Sequence, residues 1–473
     1  MKDYRSLKEV QTDLKSGLIT CVQLVEHYIE KIEKNKHLNA FLEVFQASAL
    51  AKAAEVDEKL KKGTMGVLAG AVIGLKDNIC YKDHRVSAAS KILKDYESIF
   101  DATITTRILE EDAIVIGRLN CDEFAMGSSN ENSAFGHVQN AANPEYVPGG
   151  SSGGSAVAVQ AGLCLASFGS DTGGSIRQPA SFCGIVGVKP TYGRVSRHGL
   201  IAYASSFDQI GPFTNNVEDA ALLLQVVSGQ DDYDTTASKR PVEKYADQLE
   251  ENKPKKIAYI RQCIESEGLD PEIKERFHEK LDGLRAKGHE IEPVDYPFLD
   301  YLIPAYYVLT TAEASSNLAR FDGVHFGHRS AEATDIEGTY VLSRSEGFGE
   351  EVQRRIMLGT FVLSAGYYDA YYSKAQKIRR ILRDRTREIF QNFDFILTPT
   401  CPTTAFKIGE NIDDPITMYL QDIFTVQANL AGVPAISVPA GIHSNGLPFG
   451  FQVMAAEFQE GPMLAFAKTI SNN

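Results

Sequence analysis

Near its middle the chain reads Leu163-Cys164-Leu165-Ala166-Ser167-Phe168-Gly169-Ser170-Asp171-Thr172-Gly173-Gly174-Ser175-Ile176-Arg177-Gln178-Pro179. The apolar run 163–168 has no polar alternation, so it reads as a strand buried on both faces. The glycines after it make a turn, and Ser175 is expected to open a helix. Strand, glycine turn and helix in succession point to an α/β fold, and α/β folds place their chemistry in loops at strand ends. In such a turn the N–H groups of Thr172, Gly173, Gly174 and Ser175 would point into one small volume. That is the geometry an oxyanion hole requires. A serine among those donors is a candidate nucleophile.

Two upstream segments bear on that reading. The first is Pro148-Gly149-Gly150-Ser151-Ser152-Gly153-Gly154-Ser155, a second serine-bearing glycine cluster. It contains G-x-S-x-G, but a nucleophile elbow needs a strand directly before it. Here Asn143-Pro144-Glu145-Tyr146-Val147-Pro148 precedes, an extended loop with two prolines. It is not a P-loop either, because Ser155 stands where that loop needs lysine. Taken alone, this cluster is equally a flexible glycine-serine loop. The second segment is Gly74-Leu75-Lys76-Asp77-Asn78. Lys76 follows the apolar run 71–75, and burial there would lower its pKa from about 10.4 by up to 3–5 units. A neutral Lys76 could act as a base where no histidine triad is evident.

Further short apolar runs at 114–117, 256–260, 395–397, 435–438 and 450–453 read as strands, and 289–294 as one more. Helical patterns lie at 103–111 and 271–287, and dominate 304–393. The first sixty residues read as helices. Ser6-Leu7-Lys8-Glu9 and Thr20-Cys21-Val22-Gln23 fit capping boxes, with Gly17 between the two helices, and 47–60 is amphipathic. No low-complexity linker or repeat divides the chain. One domain is expected over 1–473: a helical layer at 1–62, a core at 71–211, and the rest of the sheet with covering helices at 256–473.

Of the 473 residues, 43% are hydrophobic and 23% charged, which is a globular balance. No apolar run approaches the length of a membrane span, and the start Met1-Lys2-Asp3-Tyr4-Arg5 reads without a signal peptide. Seven cysteines are dispersed with no C-x-x-C pair, which suits reduced thiols in a cytoplasm. The net charge of −14 suits a chain whose partner handles any nucleic acid, and is equally consistent with plain solubility. His325 and His328 lack the pattern of a zinc site, and no metal is expected.

The two glycine-serine clusters and the Lys76 segment together resemble the amidase signature family. Its G-G-S-S-G-G-S and D-x-G-G-S-I-R patterns recur here in order and at the same separation. The resemblance implies a single large mixed β-sheet covered by helices on both faces, with N-terminal helices. It makes Ser175 the nucleophile, Ser151 the bridging serine and Lys76 the base, and it implies a cis peptide at Gly150–Ser151. Segments 312–320, 347–352, 359–368 and 422–425 extend it to the glutaminase subunits of tRNA-dependent amidotransferases. From that branch Tyr306, Arg355 and Asp422 are implied to hold free glutamine. Also implied are B and C partner subunits, ATP and Mg2+ in the partner, charged tRNA held mainly by the partner, and no cofactor in this chain. The alternative is a stand-alone amidase acting on another amide.

Overall fold

The computed structural model describes residues 1–250, 253–410 and 415–471. Its strands are β1 (Phe41–Val44), β2 (Val72–Lys76), β3 (Ile114–Leu119), β4 (Ala166–Asp171), β5 (Val186–Lys189), β6 (Gln209–Thr214), β7 (Lys256–Ile260), β8 (Glu290–Val294), β9 (Phe395–Pro399), β10 (Ala435–Ile442) and β11 (Pro448–Ala455). All join one sheet in the order β1-β3-β2-β4-β6-β5-β10-β11-β9-β7-β8. β2 pairs in parallel with β3 and β4, and β7 with β8 and β9. The β4–β6, β6–β5, β5–β10 and β10–β11 pairs are antiparallel. The sheet is therefore mixed, as expected for the α/β class.

Burial explains why the strands read as they do. Every residue of β2, β3 and β4 is buried, so none needs the polar alternation of a half-solvated strand. β8 closes one edge and remains half-exposed as Glu-Ile-Glu-Pro-Val. Charge and proline are what an open edge tolerates.

Several expectations shift. The strand expected at 163–168 runs from Ala166 to Asp171, so it reaches the glycine turn directly. The helix expected from Ser175 begins at Arg177, leaving Ser175 in the turn. The N-terminal layer includes β1, which lies in the stretch read as helical. Thr20 and Gln23 form a complete capping box. At the first helix Ser6 caps Glu9 N, but Glu9 accepts from Arg5 N instead of returning to Ser6. The 304–393 region begins its helix earlier, at Leu299, and then breaks into Ile336–Gly347, Glu350–Leu363 and Lys374–Ile389.

All seven cysteines are buried and unpaired. His325 and His328 part company, facing Asp322 at 2.8 Å and Glu346 at 2.6 Å respectively. Among the described residues no helix is long and apolar enough to cross a membrane.

Candidate active site

β2 carries Lys76 into a fully buried position at its C-terminal end. Its Nζ donates to three serine hydroxyls: Ser151 at 2.7 Å, Ser152 at 2.9 Å and Ser170 at 3.0 Å. Burial pushes the Lys76 amine down to about 8, against the pull of nearby Asp122, Asp171 and Asp208. The identity of its partners matters. A hydroxyl can donate to a neutral amine as readily as it accepts from an ammonium. The other deeply buried lysine, Lys189, faces only acceptors: Pro190 O, Val433 O and Gln209 Oε1. Burial lowers it too, but nothing there can donate to a neutral amine.

Ser151 sits after a cis peptide at Gly150–Ser151. Gly150 N donates to Gln178 Oε1 at 2.8 Å, and Asp122 N to Ser151 O at 3.1 Å. Asp122 itself is buried and accepts from Asn130 N and Asn132 N. These contacts pin the first cluster under the second.

The second cluster is a turn between β4 and the helix Arg177–Cys183. Asp171 closes it. Its carboxylate takes both edges of Arg177, at 3.0 Å each, and accepts from Asn429. Burial works to raise the Asp171 pKa, but the Arg177 charge wins and holds it below the usual carboxylate range. Thr172 Oγ1 donates to Asp208, which also accepts from Tyr203 N and Ala204 N. Gly174 lies at φ +145°, where a side chain is strained, and a Cβ there would stand 2.2 Å from Thr425 Oγ1. Among the described residues the N–H groups of Thr172, Gly173, Gly174 and Ser175 donate to no protein acceptor. Ser175 is buried, and its Oγ makes no hydrogen bond to Ser151. Of the relay expected from the sequence, the Lys76–Ser151 contact is made and the Ser151–Ser175 contact is not. Such bonds commonly tighten only when substrate binds.

Of the downstream residues, Tyr306 and Asp422 come to this turn, from a helix and a loop. Tyr306, from the helix Leu299–Asn317, places its hydroxyl 2.5 Å from where a Cβ on Gly173 would be. Asp422 Oδ1 is 3.3 Å from the corresponding point on Gly174. Asp422 Oδ2 accepts from Ser128 Oγ at 2.6 Å, but Oδ1 is buried without a partner. Burial pushes this carboxyl up to about 7, eased by the Ser128 bond and the Arg355 charge. Arg355, buried on the helix Glu350–Leu363, lies among the rings of Tyr203, Tyr307 and Tyr419 at 5.2–5.7 Å. Its Nε donates to Glu351 Oε1 at 2.8 Å and its Nη1 to Tyr203 OH at 2.9 Å. Arg354 turns away, to Glu350 and Glu351.

Ser128, Tyr203, Glu351 and Gln178 were not singled out from the sequence. Glu351 alone had a local signal, standing four residues before Arg355 on one helix. The others reach the site only through tertiary contacts.

A profile of the Amidase family matches residues 23–464. The glutamyl-tRNA(Gln) amidotransferase A subunit of Chlorobium phaeobacteroides (strain DSM 266) is 51% identical over 467 residues, 98% of each chain. The protein of that name from Chlorobaculum tepidum is 50% identical over 98% of this chain and 97% of its own. A crystal structure of the glutamyl-tRNA(Gln) amidotransferase A subunit from Thermotoga maritima superposes with a TM-score of 0.79 at 43% identity, covering 98% of this chain and 95% of that one. With likeness running through both glycine-serine clusters and nearly end to end, this chain belongs to the amidase signature family.

Proposed function

We infer that this chain is the glutamine-hydrolysing subunit of a glutamyl-tRNA(Gln) amidotransferase. The observation that carries the reading is the orphaned Asp422 Oδ1, buried beside the glycine turn that holds Ser175. A buried acceptor without a donor is costly, and the ammonium of an amino acid would satisfy it. Arg355, whose charge acts on Asp422, matches the α-carboxylate through charge-assisted bonds. Tyr306 brings its hydroxyl against Gly173 of the same turn. A simple amide substrate would use neither charge.

In this reading Ser175 Oγ attacks the side-chain carbonyl carbon of glutamine. Its proton passes through Ser151 to neutral Lys76. The N–H groups of residues 172–175 receive the developing oxyanion. The amide C–N bond then breaks as Lys76 returns the proton through Ser151 to the leaving nitrogen. Ammonia departs and a glutamyl ester of Ser175 remains. Water attacks that ester, losing its proton to Lys76, and glutamate leaves as Ser175 recovers its own. The ammonia serves a partner subunit that activates glutamyl-tRNA(Gln) with ATP and Mg2+. We assign B and C subunits as partners, charged tRNA mainly to the partner, no cofactor to this chain, and a cytoplasmic location.

The test is a glutaminase assay of the chain alone and with its partner subunits. Glutamine should trap a covalent adduct on Ser175, and Ser175→Ala should abolish it. Turnover of acetamide or fatty amides, with none of glutamine, would instead support the stand-alone amidase.

A further inference from the structure

The chain carries a net charge of −14, yet the helix Lys374–Ile389 holds seven basic and two acidic side chains. Arg379, Arg380 and Arg383 line one wall of a cavity of about 490 Å3, and Tyr192 and Phe458 line it from elsewhere. Arg383 stands three residues after Arg380 and four after Arg379, so it shares a helix face with each. More positive charge stands over the other walls. Arg197 lies over the Tyr192 ring at 5.6 Å, and Arg240 over the Phe458 ring at 4.4 Å.

Two features distinguish this cluster from a solvated basic face. First, a buried N–H donor of the lining is left over: Arg383 Nε has no acceptor among the described residues. Second, the cavity is built rigidly. Arg379 donates to Ser206 Oγ, Ser206 O and Leu430 O, and stacks on Phe207 at 3.9 Å. Phe458 is held at φ +64°, a conformation that a bulky residue keeps only where its surroundings impose it. Opposing charges are present: Asp234 stands 3.7 Å from Arg197, and the Glu313 charge acts on Arg379. Glu457 lines the cavity but is engaged by Arg387 at 2.6 Å, and Asp384 reaches Arg380 and Arg383 only at 3.4 and 3.7 Å.

We propose that this cavity is a phosphate-binding site, taking a phosphate from an RNA backbone or from a small phosphorylated ligand. Planar guanidinium forks are matched to phosphate oxygens, and a partly enclosed cationic cleft concentrates anions. The site stands on the arginine geometry alone, and would hold even if Ser175 acted on another amide.

The test measures binding of unfractionated tRNA, ATP and inorganic phosphate to the full chain, across a salt series. The variants are Arg383→Ala and Arg380→Ala. Arg285→Ala, an exposed arginine paired with Asp282, controls for lost charge. Thermal melts and glutaminase rates confirm that each variant is folded. Arg383→Ala should weaken the ligand roughly tenfold more than Arg285→Ala does. If that ligand is tRNA, the salt slope should also fall by about one, and the source is an RNA backbone. If only ATP or phosphate responds, the source is a small ligand. Equal binding by Arg383→Ala, Arg380→Ala and the control, for all three probes, overturns the proposal.

Discussion

At Lys76 the chemistry depends on which protonation state its neighbours accept. Three hydroxyls accept either state, and burial places the amine near 8. A base must be neutral to take a proton, so kcat/KM for glutamine should rise with pH through about 8. Asp422 must be ionised to hold an ammonium, so a second rise is expected through about 7. In Asp422→Asn the lower rise should vanish from the pH profile while glutamine KM increases at least tenfold. The same substitution should affect stability in the opposite direction. A carboxyl raised from 3.8 to about 7 by burial costs the folded state stability as pH climbs through that window. Asp422→Asn should therefore melt a few degrees above wild type at pH 8, with the gap closing near pH 4. Equal melting at both pH values would contradict the assignment. Lys76→Ala should slow acylation at least a thousandfold, and a full acylation rate would remove Lys76 from the relay. Lysine, serine and glycine made this part of the site readable in sequence, because each acts through its own local chemistry.

Among the elements, the turn after β4 depends most on its supports. Asp171 and Arg177 form a fully buried, two-pronged pair, and Arg177 also donates to Thr425 O and Asn429 Oδ1. Breaking a buried pair by removing one partner leaves an unpaired charge and costs about 3–5 kcal/mol. Arg177→Ala should lose that much in denaturant unfolding, and activity should fall with it as the donors of residues 172–175 lose their aim. The helix Glu350–Leu363 behaves differently. Glu351 and Tyr203 orient Arg355 without meeting the reacting atoms. Glu351→Gln should raise glutamine KM several-fold and leave kcat within about twofold. A matched fall in kcat with unchanged KM would place Glu351 elsewhere in the mechanism. Helix and strand identities were largely legible, since short apolar runs and the 3.6 periodicity are local. Element ends were less so: the Asp171 side chain and the glycine turn moved the start of the helix from Ser175 to Arg177.

Across the whole molecule, the early strands β1–β6 fill one side of the sheet and the late strands β7–β11 the other, joined at one seam. β5 is flanked by β6 on one side and by β10 on the other, although more than two hundred residues separate β5 from β10. The expectation of a single domain over 1–473 is tested by cutting the chain at that seam. A fragment of residues 1–249 would expose the β5 edge and the apolar surface that β10 and β11 cover. It should lack a cooperative melt and aggregate, whereas independent folding would establish two domains. Ile436→Ala, at a fully buried point of β10, should cost about 2–5 kcal/mol and lower the single transition of the whole chain. Read as a string, the chain pointed to its class and offered Ser175, Ser151 and Lys76 as nucleophile, bridging serine and base, with residues 172–175 as the oxyanion donors. Those depend on short spacings and intrinsic residue chemistry. Folding alone decided that Tyr306 meets Gly173 and Asp422 meets Gly174, that Ser128 reaches Asp422 and Tyr203 reaches Arg355, and that scattered arginines gather in an acidic protein. Such contacts are made by packing across one hundred residues or more, and no local pattern encodes which distant side chains the core will bring together.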